Sequence, residues 1–182
     1  MIRAHKRSWF ELLFSLHVRR RFAHRFSAVR IAGLETLREA AHRGPVLVVA
    51  NHSSWWDGLV VFDLSFRTLR LDGYALMDAK NLRALPFLGW IGGFGVDLGD
   101  KDDGHRVVEY GAELLRQNAQ GNKSRALWIF PQGRERPATE RPLNFKPGAA
   151  RIAHAAPRAV VLPMAMRYEH GRDEKPELLL RI

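Results

Sequence analysis

The sequence PVLVVANHSSWWD at residues 45–57 changes character halfway along. Its first half is a continuous apolar run rich in valine, preceded by Gly44, which is typical of a strand buried on both faces. Its second half is polar and leads into residues 57–67, whose mixed pattern indicates a helix. A buried strand followed by a helix is typical of an α/β protein with a parallel sheet.

The rest of the chain continues this alternation. We predict strands over 71–77, 91–97, 125–130, 159–167 and 177–182, helices over 102–120 and 148–156, and a short helix or turn from Leu82 to Leu88. Asn118 to Asn122 ends the longer helix, with Gly121 as its stop signal. The loop 131–147 contains four prolines and is long enough to suggest a function. The predicted fold is α/β, with a mostly parallel central sheet flanked by helices and preceded by an N-terminal amphipathic helical arm.

The positive charge is concentrated at one end. The net charge is +10, and residues 1–30 carry eight basic residues against the single acid Glu11, which leaves +3 for residues 31–182. We therefore divide the chain into a basic arm, 1–30, and an α/β domain, 31–182. A basic arm on a nearly balanced domain predicts attachment to an anionic surface. There is no cysteine, which excludes disulfides and thiolate metal sites.

The arm is also rich in bulky apolar residues, from Trp9 to Phe26. Its densest apolar stretch, 9–18, is far shorter than the roughly 20 residues that span a bilayer, and no signal cleavage site follows it. Apolar side chains flanked by arginines suit a helix that lies in the lipid interface. They also suit a helix that covers the domain's own core. Both interpretations stay open, and different faces of one helix can serve each.

The first group of candidate catalytic residues follows the strand at 45–51. His52 and Asp57 are five residues apart across a turn, at the sheet edge where ligands of α/β proteins bind. In such a pair the carboxylate fixes the imidazole tautomer and leaves the other ring nitrogen free to take a proton. Asp57 could instead be a helix cap. Ser53 or Ser54 could indicate a hydrolase nucleophile, although no G-x-S-x-G motif is present.

Two further groups lie in and beside the long loop. In the first, Gly133 permits an unusual backbone angle, while Arg134 and Arg136 offer forked donors to a phosphate or carboxylate. In the second, Lys146 precedes a predicted helix start, which favours anions. A charged, solvated turn would explain either group equally well when it is taken alone.

Taken together, the three groups resemble the glycerolipid acyltransferase family, whose bacterial type member acylates lysophosphatidic acid. The Asn-His-x4-Asp motif of that family is matched by Asn51, His52 and Asp57. Its Phe-Pro-Glu-Gly-Thr-Arg-Ser motif is partly matched by Phe130, Pro131 and Gly133, and its Phe-Lys-x-Gly element by Phe145, Lys146 and Gly148. A glycine-rich block is suggested by Gly92 to Asp97, and the last block is matched by Val160 to Pro163. The resemblance covers roughly residues 30–182.

The resemblance implies catalytic roles for His52 and Asp57 and substrate contacts from a set of polar residues. That set comprises Asn51, Gln132, Gly133, Arg134, Arg136, Lys146 and Arg106. Two departures concern the acceptor's phosphate: Gln132 replaces the family glutamate, and Leu98 stands where a phosphate-binding arginine is expected. Arg106, Arg134, Arg136 or Lys146 could substitute, or the acceptor could be a glycolipid or glycosylated pigment without a phosphate.

The implied reaction moves a fatty acyl group from acyl-CoA or acyl carrier protein to a hydroxyl of a lysophospholipid such as 1-acylglycerol-3-phosphate. We expect no cofactor, no metal and no nucleic-acid partner. The expected location is peripheral, on the cytoplasmic face of an anionic membrane. A basic nucleic-acid-binding protein is the main rival, prompted by a pI of about 10.8. It is disfavoured because the charge is confined mainly to the arm and no binding motif is found.

Overall fold

The computed structural model describes residues 1–97, 99–117 and 123–182. Its helices are α1 (Ser8–Arg25), α2 (Leu34–Arg43), α3 (Trp56–Asp63), α4 (Ala79–Ala84), α5 (Lys101–Arg116) and α6 (Gly148–Ala155). A π-helical turn, Leu64–Thr68, continues α3, and a 3-10 helix covers Pro86–Ile91. The strands are β1 (Ala28–Ala32), β2 (Val46–Ala50), β3 (Asp72–Asp78), β4 (Gly93–Val96), β5 (Arg125–Ile129), β6 (Val160–Glu169) and β7 (Glu177–Arg181).

The strands form one sheet in the order β1-β7-β6-β2-β5-β3-β4. Every neighbouring pair is parallel except β6 and β7, which are antiparallel. The predicted α/β fold with a mostly parallel, helix-flanked sheet and an N-terminal helix is therefore confirmed. Because β2, β5 and β6 are adjacent and parallel, their carboxyl ends meet at one edge, where the loops that follow them come together.

Helices cover both faces of the central strands. Val46 and Val48 of β2 pack into one apolar cluster, with α2 and α3, while Leu47 packs into a second cluster, with α5 and α6. All three side chains are fully buried. This explains why the strand has no polar alternation, since a parallel strand covered on both faces needs apolar residues at successive positions.

The structure adds two elements to those predicted and moves several boundaries. The new elements, β1 and α2, lie where we assign no element, and the predicted boundary between arm and domain falls inside β1. The short helix or turn predicted at 82–88 is covered by two elements, α4 and the 3-10 helix, because Pro86 begins a new turn. The predicted stop at Asn118 to Asn122 and the departure at Leu98 lie outside the described residues.

Helix α1 has two apolar faces. Its inner face packs against the domain: Phe14 meets Phe62 of α3 and Phe87 of the 3-10 helix, and Val18 is fully buried. Its outer face presents side chains that are each more than half exposed, namely Trp9, Leu12, Leu13 and Leu16. These four follow the i, i+3, i+4, i+7 spacing of one helix face. The outer face continues into exposed Arg19 and Arg20.

The segment before α1 covers the edge strand β4. Ile2 exchanges two backbone hydrogen bonds with Gly95, of 2.9 and 2.8 Å, and the amide of His5 donates to the Gly89 carbonyl. Beside this contact, Gly92 adopts a φ of +99°, and a Cβ there would lie 2.3 Å from the Gly73 carbonyl oxygen. Only glycine fits at that point, because any side chain would push β4 away from β3.

Candidate active site

His52 and Asp57 contact each other at the carboxyl end of β2. The ring nitrogen Nδ1 of His52 lies 2.8 Å from Oδ2 of Asp57. An ionised carboxylate only accepts hydrogen bonds, so Nδ1 carries the proton and Nε2 is left with its lone pair. The Asp57 side chain is fully buried, whereas 22% of the His52 side chain is exposed. The pair therefore combines a buried carboxylate with an imidazole that is partly open to solvent.

Asp57 accepts hydrogen bonds from four donors. Besides His52, the amides of Ser53 and Ser54 donate to Oδ2 at 2.7 and 3.0 Å, and the hydroxyl of Tyr168 donates to Oδ1 at 2.5 Å. The two amide bonds close the turn into α3, so Asp57 shapes the turn as well as orienting the imidazole. Four donors to two oxygens hold the carboxylate in one geometry, and they satisfy the hydrogen-bonding needs of a buried polar group.

Tyr168 is a site residue that the sequence analysis misses. It lies near the end of β6, and burial, then the neighbouring Asp57 carboxylate, raises the pKa of its hydroxyl far above the ordinary value. The hydroxyl therefore stays a proton donor to Asp57 throughout neutral pH. A signal was available, because β6 runs parallel to β2 and its carboxyl end must lie at the same edge as His52.

The loop 131–147 fixes the backbone of His52 from both sides. The side-chain oxygen of Gln132 accepts from the His52 amide at 2.6 Å, and the amide of Arg136 donates to the His52 carbonyl at 2.9 Å. The imidazole itself stacks on Phe130, with ring centroids 4.6 Å apart. Gln132 is buried, so it supports His52 from within the protein.

Gly133 and Lys146, near the two ends of this loop, lie against each other. Gly133 has a φ of +69°, and a Cβ there would lie 2.9 Å from Nζ of Lys146. The Lys146 amide donates to the Pro131 carbonyl at 2.8 Å, which closes the loop. Lys146 and Arg134 are exposed, while the Arg136 side chain pairs with Glu140. The loop that holds the backbone of His52 thus carries an ammonium group beside Gly133 and an exposed guanidinium group at Arg134.

Two predicted site residues are used elsewhere. The Asn51 amide forms two hydrogen bonds with the backbone of Met166, of 2.9 and 2.7 Å, and so joins the end of β2 to β6. Arg106 forms ion pairs with Asp100 and Asp103 at the start of α5. That helix follows β4, three strands and about 14 Å from β2. The structure therefore does not bring Arg106 to His52.

The site contains a base without an adjacent nucleophile. The hydroxyl of Ser54 accepts from the Trp56 amide at 3.3 Å, and that of Ser53 is buried with no hydrogen-bond partner among the described residues. Neither serine is bonded to His52, so the geometry does not favour a serine hydrolase. The arrangement can instead remove a proton from a bound hydroxyl and stabilise the imidazolium that forms.

The described part of the chain contains neither a metal-binding cluster nor a helix suited to span a membrane. Within 1–97, 99–117 and 123–182, no three histidine, aspartate or glutamate side chains are grouped closely enough to hold a metal ion. None of the helices described combines the length and apolar character needed to cross a bilayer.

The chain is similar to known acyltransferases. The sequence model of the family described as Acyltransferase matches residues 28–167. A 1-acyl-sn-glycerol-3-phosphate acyltransferase of Saccharomyces cerevisiae is 30% identical over 130 residues, which is 69% of this chain and 38% of the yeast protein. The chain thus spans well under half the length of that relative. The family match includes β2, the His52–Asp57 pair, the long loop and most of β6. The chain belongs to the acyltransferase family.

Proposed function

We propose that the protein is an O-acyltransferase that moves a fatty acyl group from a thioester donor to a hydroxyl of a lysophospholipid such as 1-acylglycerol-3-phosphate. The observation that carries this proposal is the 2.8 Å contact between a partly exposed imidazole and a fully buried carboxylate. Membership of the acyltransferase family and the name of the yeast relative support the reaction and the acceptor class.

In this mechanism His52 acts as a general base. Its Nε2 takes the proton of the acceptor hydroxyl while that oxygen attacks the thioester carbonyl, and Asp57 stabilises the imidazolium. Collapse of the tetrahedral intermediate expels the thiolate of coenzyme A or of an acyl carrier protein, which takes up a proton. General-base help of this kind contributes about 10²–10⁴-fold to the rate. Donors around Gly133, or Arg134, would stabilise the oxyanion of the intermediate.

The acceptor's phosphate has candidate partners in Lys146 and Arg134. Both are exposed on the loop that holds His52, and charged donors to phosphate are among the stronger hydrogen bonds. Gln132 points inward to the His52 amide, so its difference from the family glutamate concerns the support of His52 more than the acceptor. The two exposed cations, Lys146 and Arg134, therefore favour a phosphate-bearing acceptor over a glycolipid or pigment.

An acceptor panel tests the proposal. Purified protein would be given radiolabelled acyl-CoA or acyl carrier protein together with 1-acylglycerol-3-phosphate, other lysophospholipids or a monoglycosylated lipid. We expect labelled product with 1-acylglycerol-3-phosphate, because it alone combines a free hydroxyl with a terminal phosphate. Product from the glycosylated lipid alone would replace this acceptor class with the alternative, and absence of product with every pair would refute transfer.

We further propose that the outer face of α1 binds the membrane surface on the cytoplasmic side. Leu12, Leu13 and Leu16 are each more than half exposed, and Arg19 and Arg20 lie next to them for contact with anionic headgroups. Such exposed apolar helix faces bind the interface by burying their side chains among the lipids. This placement would bring the protein to its lipid substrates.

Replacing Leu12, Leu13 and Leu16 together by serine should lower the partition coefficient on phosphatidylglycerol vesicles by at least about tenfold. Each leucine contributes at most about 1.5–3 kcal/mol when fully buried in lipid, so partial burial of three suffices. Vesicle pelleting measures the effect. The control variant Val29→Ser/Val161→Ser removes two exposed apolar side chains from the sheet and should pellet normally. Equal pelleting of all three proteins would show that the outer face does not bind lipid.

Tyr168→Phe should lower kcat about tenfold while KM changes little, because the hydroxyl donates its hydrogen bond to Asp57 and acts on the reaction through that carboxylate. The free energy of unfolding should fall by about 1.5–3 kcal/mol, the range for a hydrogen bond to a charged group. Since folding raises the pKa of Tyr168, this stabilisation is complete below the ordinary tyrosine value of about 10 and is lost as pH rises through the raised value.

The control for this prediction is Tyr74→Phe. Tyr74 lies near the amino end of β3, at the sheet edge opposite the one where Tyr168 meets Asp57. Burial, then the charge of Asp72, raises the pKa of Tyr74 to about 12. That variant should lose stability but keep kcat. Equal loss of kcat in both variants would mean that the effect of Tyr168 is only on folding.

A further inference from the structure

A polar cleft lies at the sheet edge opposite His52. It forms where chain segments enter the amino ends of β2, β3, β5 and β6, and its volume is about 860 Å³. The ends of α2, α5 and α6 contribute to its walls. The five residues of β2 separate it from the catalytic edge by about 17 Å, with the apolar core between them. We call it the cationic cleft.

Six basic side chains line this cleft, and none of its described lining residues is acidic. They are Arg38, Arg70, Arg116, Lys123, Arg125 and Arg158. Glu35 compensates Arg38, and Asp72 compensates Arg125. The other four have no ion-pair partner among the described residues. Since residues 31–182 carry a net charge of only +3, this is a local concentration of positive charge rather than the general character of the domain.

Stabilisation of helix ends does not account for all of these cations. Arg116 donates to the Ala112 carbonyl, and Arg125 donates to the Leu114 carbonyl, both in the last turns of α5. The three helix ends contribute together about −1.5 of partial charge. The four basic side chains without an ion-pair partner carry more positive charge than this partial negative charge can balance. Arg70 and Arg158 are exposed and have no hydrogen-bond partner among the described residues, so their donors are available to a ligand.

The backbone at Arg70 supports a binding role. Arg70 has a φ of +55°, a left-handed conformation that residues other than glycine, asparagine and aspartate rarely adopt. Strained backbone of this kind is concentrated at binding sites. Across the cleft, the hydroxyl of Ser124 donates to the Gly44 carbonyl at 2.7 Å and ties two of its walls together. The cleft is thus a built feature rather than a gap between independent loops.

We propose that the cationic cleft binds a small polyphosphate ligand of nucleotide size. Its volume falls within the range of small-molecule sites. Leu69, Leu71 and Leu115 supply an apolar wall beside the arginines, which suits a ligand with a phosphate chain and an apolar body. The cations line one half-open cleft, whereas an extended nucleic acid is bound by charges spread along a groove. A ligand here cannot donate acyl groups to His52, so the site serves a role separate from transfer.

Isothermal titration of the full chain tests this proposal without any acyl donor, so its result is independent of the proposed transfer reaction. The probes are AMP, ADP, ATP and tripolyphosphate at low salt. We expect affinity to rise with the number of phosphates and ATP to bind more tightly than tripolyphosphate, because only ATP uses the apolar wall. The double variant Arg70→Gln/Arg158→Gln should bind ATP at least about tenfold more weakly, since it loses charge-assisted hydrogen bonds.

The matched control is Arg151→Gln/Arg172→Gln, which removes the same charge from exposed positions outside the cleft. It should change ATP affinity less than about threefold, as expected for screened surface charges. Absence of binding to the unaltered protein, or equal weakening in both double variants, overturns the proposal. Weakening by Lys146→Gln instead would place the anion at the catalytic edge. If Arg70→Gln/Arg158→Gln weakened binding to phosphatidylglycerol vesicles but not to ATP, the two arginines would be assigned to lipid headgroups and the proposal would be overturned.

Discussion

Replacement of His52 by alanine should reduce kcat for acyl transfer by about 10²–10⁴-fold, the full contribution of a general base. The side chain is partly exposed, and its loss removes one of four donors to Asp57 and the stack on Phe130. We therefore expect a modest loss of stability of about 1.5–3 kcal/mol, which lowers the melting temperature by about 2–4 °C for each kcal/mol.

A second variant separates catalysis from folding. His52→Asn places an amide N–H where Nδ1 now donates to Asp57, but it supplies no base. It should be as inactive as the alanine variant and more stable. The histidine control is His154→Ala on the exposed side of α6, which should be fully active. Circular dichroism and single-turnover kinetics on the three proteins check these outcomes. An alanine variant that retained most of its activity would refute the proposed mechanism.

Asp57→Asn should reduce kcat at least about a hundredfold while the fold is retained. The asparagine oxygen can keep the position of Oδ2 and accept from His52, Ser53 and Ser54. Its NH₂ group then faces Tyr168, whose hydroxyl can reverse its role and accept. The hydrogen bonds survive, so the main loss is the negative charge that stabilises the imidazolium.

Substitutions at Asp57 and Tyr168 should also interact with each other, because the two side chains share a hydrogen bond. In Asp57→Asn/Tyr168→Phe the NH₂ group has no acceptor, so the double variant should lose more stability than the two single variants together. The control is Asp63→Asn, two turns further along the chain from Asp57, where the carboxylate pairs with Arg67. Thermal unfolding and kcat measurements test both statements. A kcat for Asp57→Asn equal to that of Asp63→Asn would remove the carboxylate from the mechanism.

The central part of the fold could be predicted because its signals are local. The valine run of β2, the periodic pattern of α5 and the turn residues around the long loop each identify one element without reference to the others. β1 and α2 were missed for the opposite reason. Val29 and Arg30 of β1 lie in a basic stretch that indicates an arm, and only pairing with β7 makes a strand of them.

The site shows the same division between local and distant signals. His52 and Asp57 are five residues apart, so their contact follows from one turn. Tyr168 is 111 residues from Asp57, and it reaches the carboxylate only through the pairing of β2 with β6. Arg106 was named as a possible substitute for the arginine expected at position 98, and the structure pairs its side chain with Asp100 and Asp103.

The contact between Ile2 and Gly95 has a practical consequence for protein engineering. A chain trimmed before α1 would leave the amide and carbonyl groups of β4 unpaired along the border of the sheet, where another molecule can add a strand of its own. Such a shortened protein would tend to self-associate and sediment with or without lipid. Sedimentation of truncated forms would therefore report self-association rather than lipid binding. Point substitutions on α1 leave the edge of β4 paired with Ile2, so their sedimentation reports lipid binding.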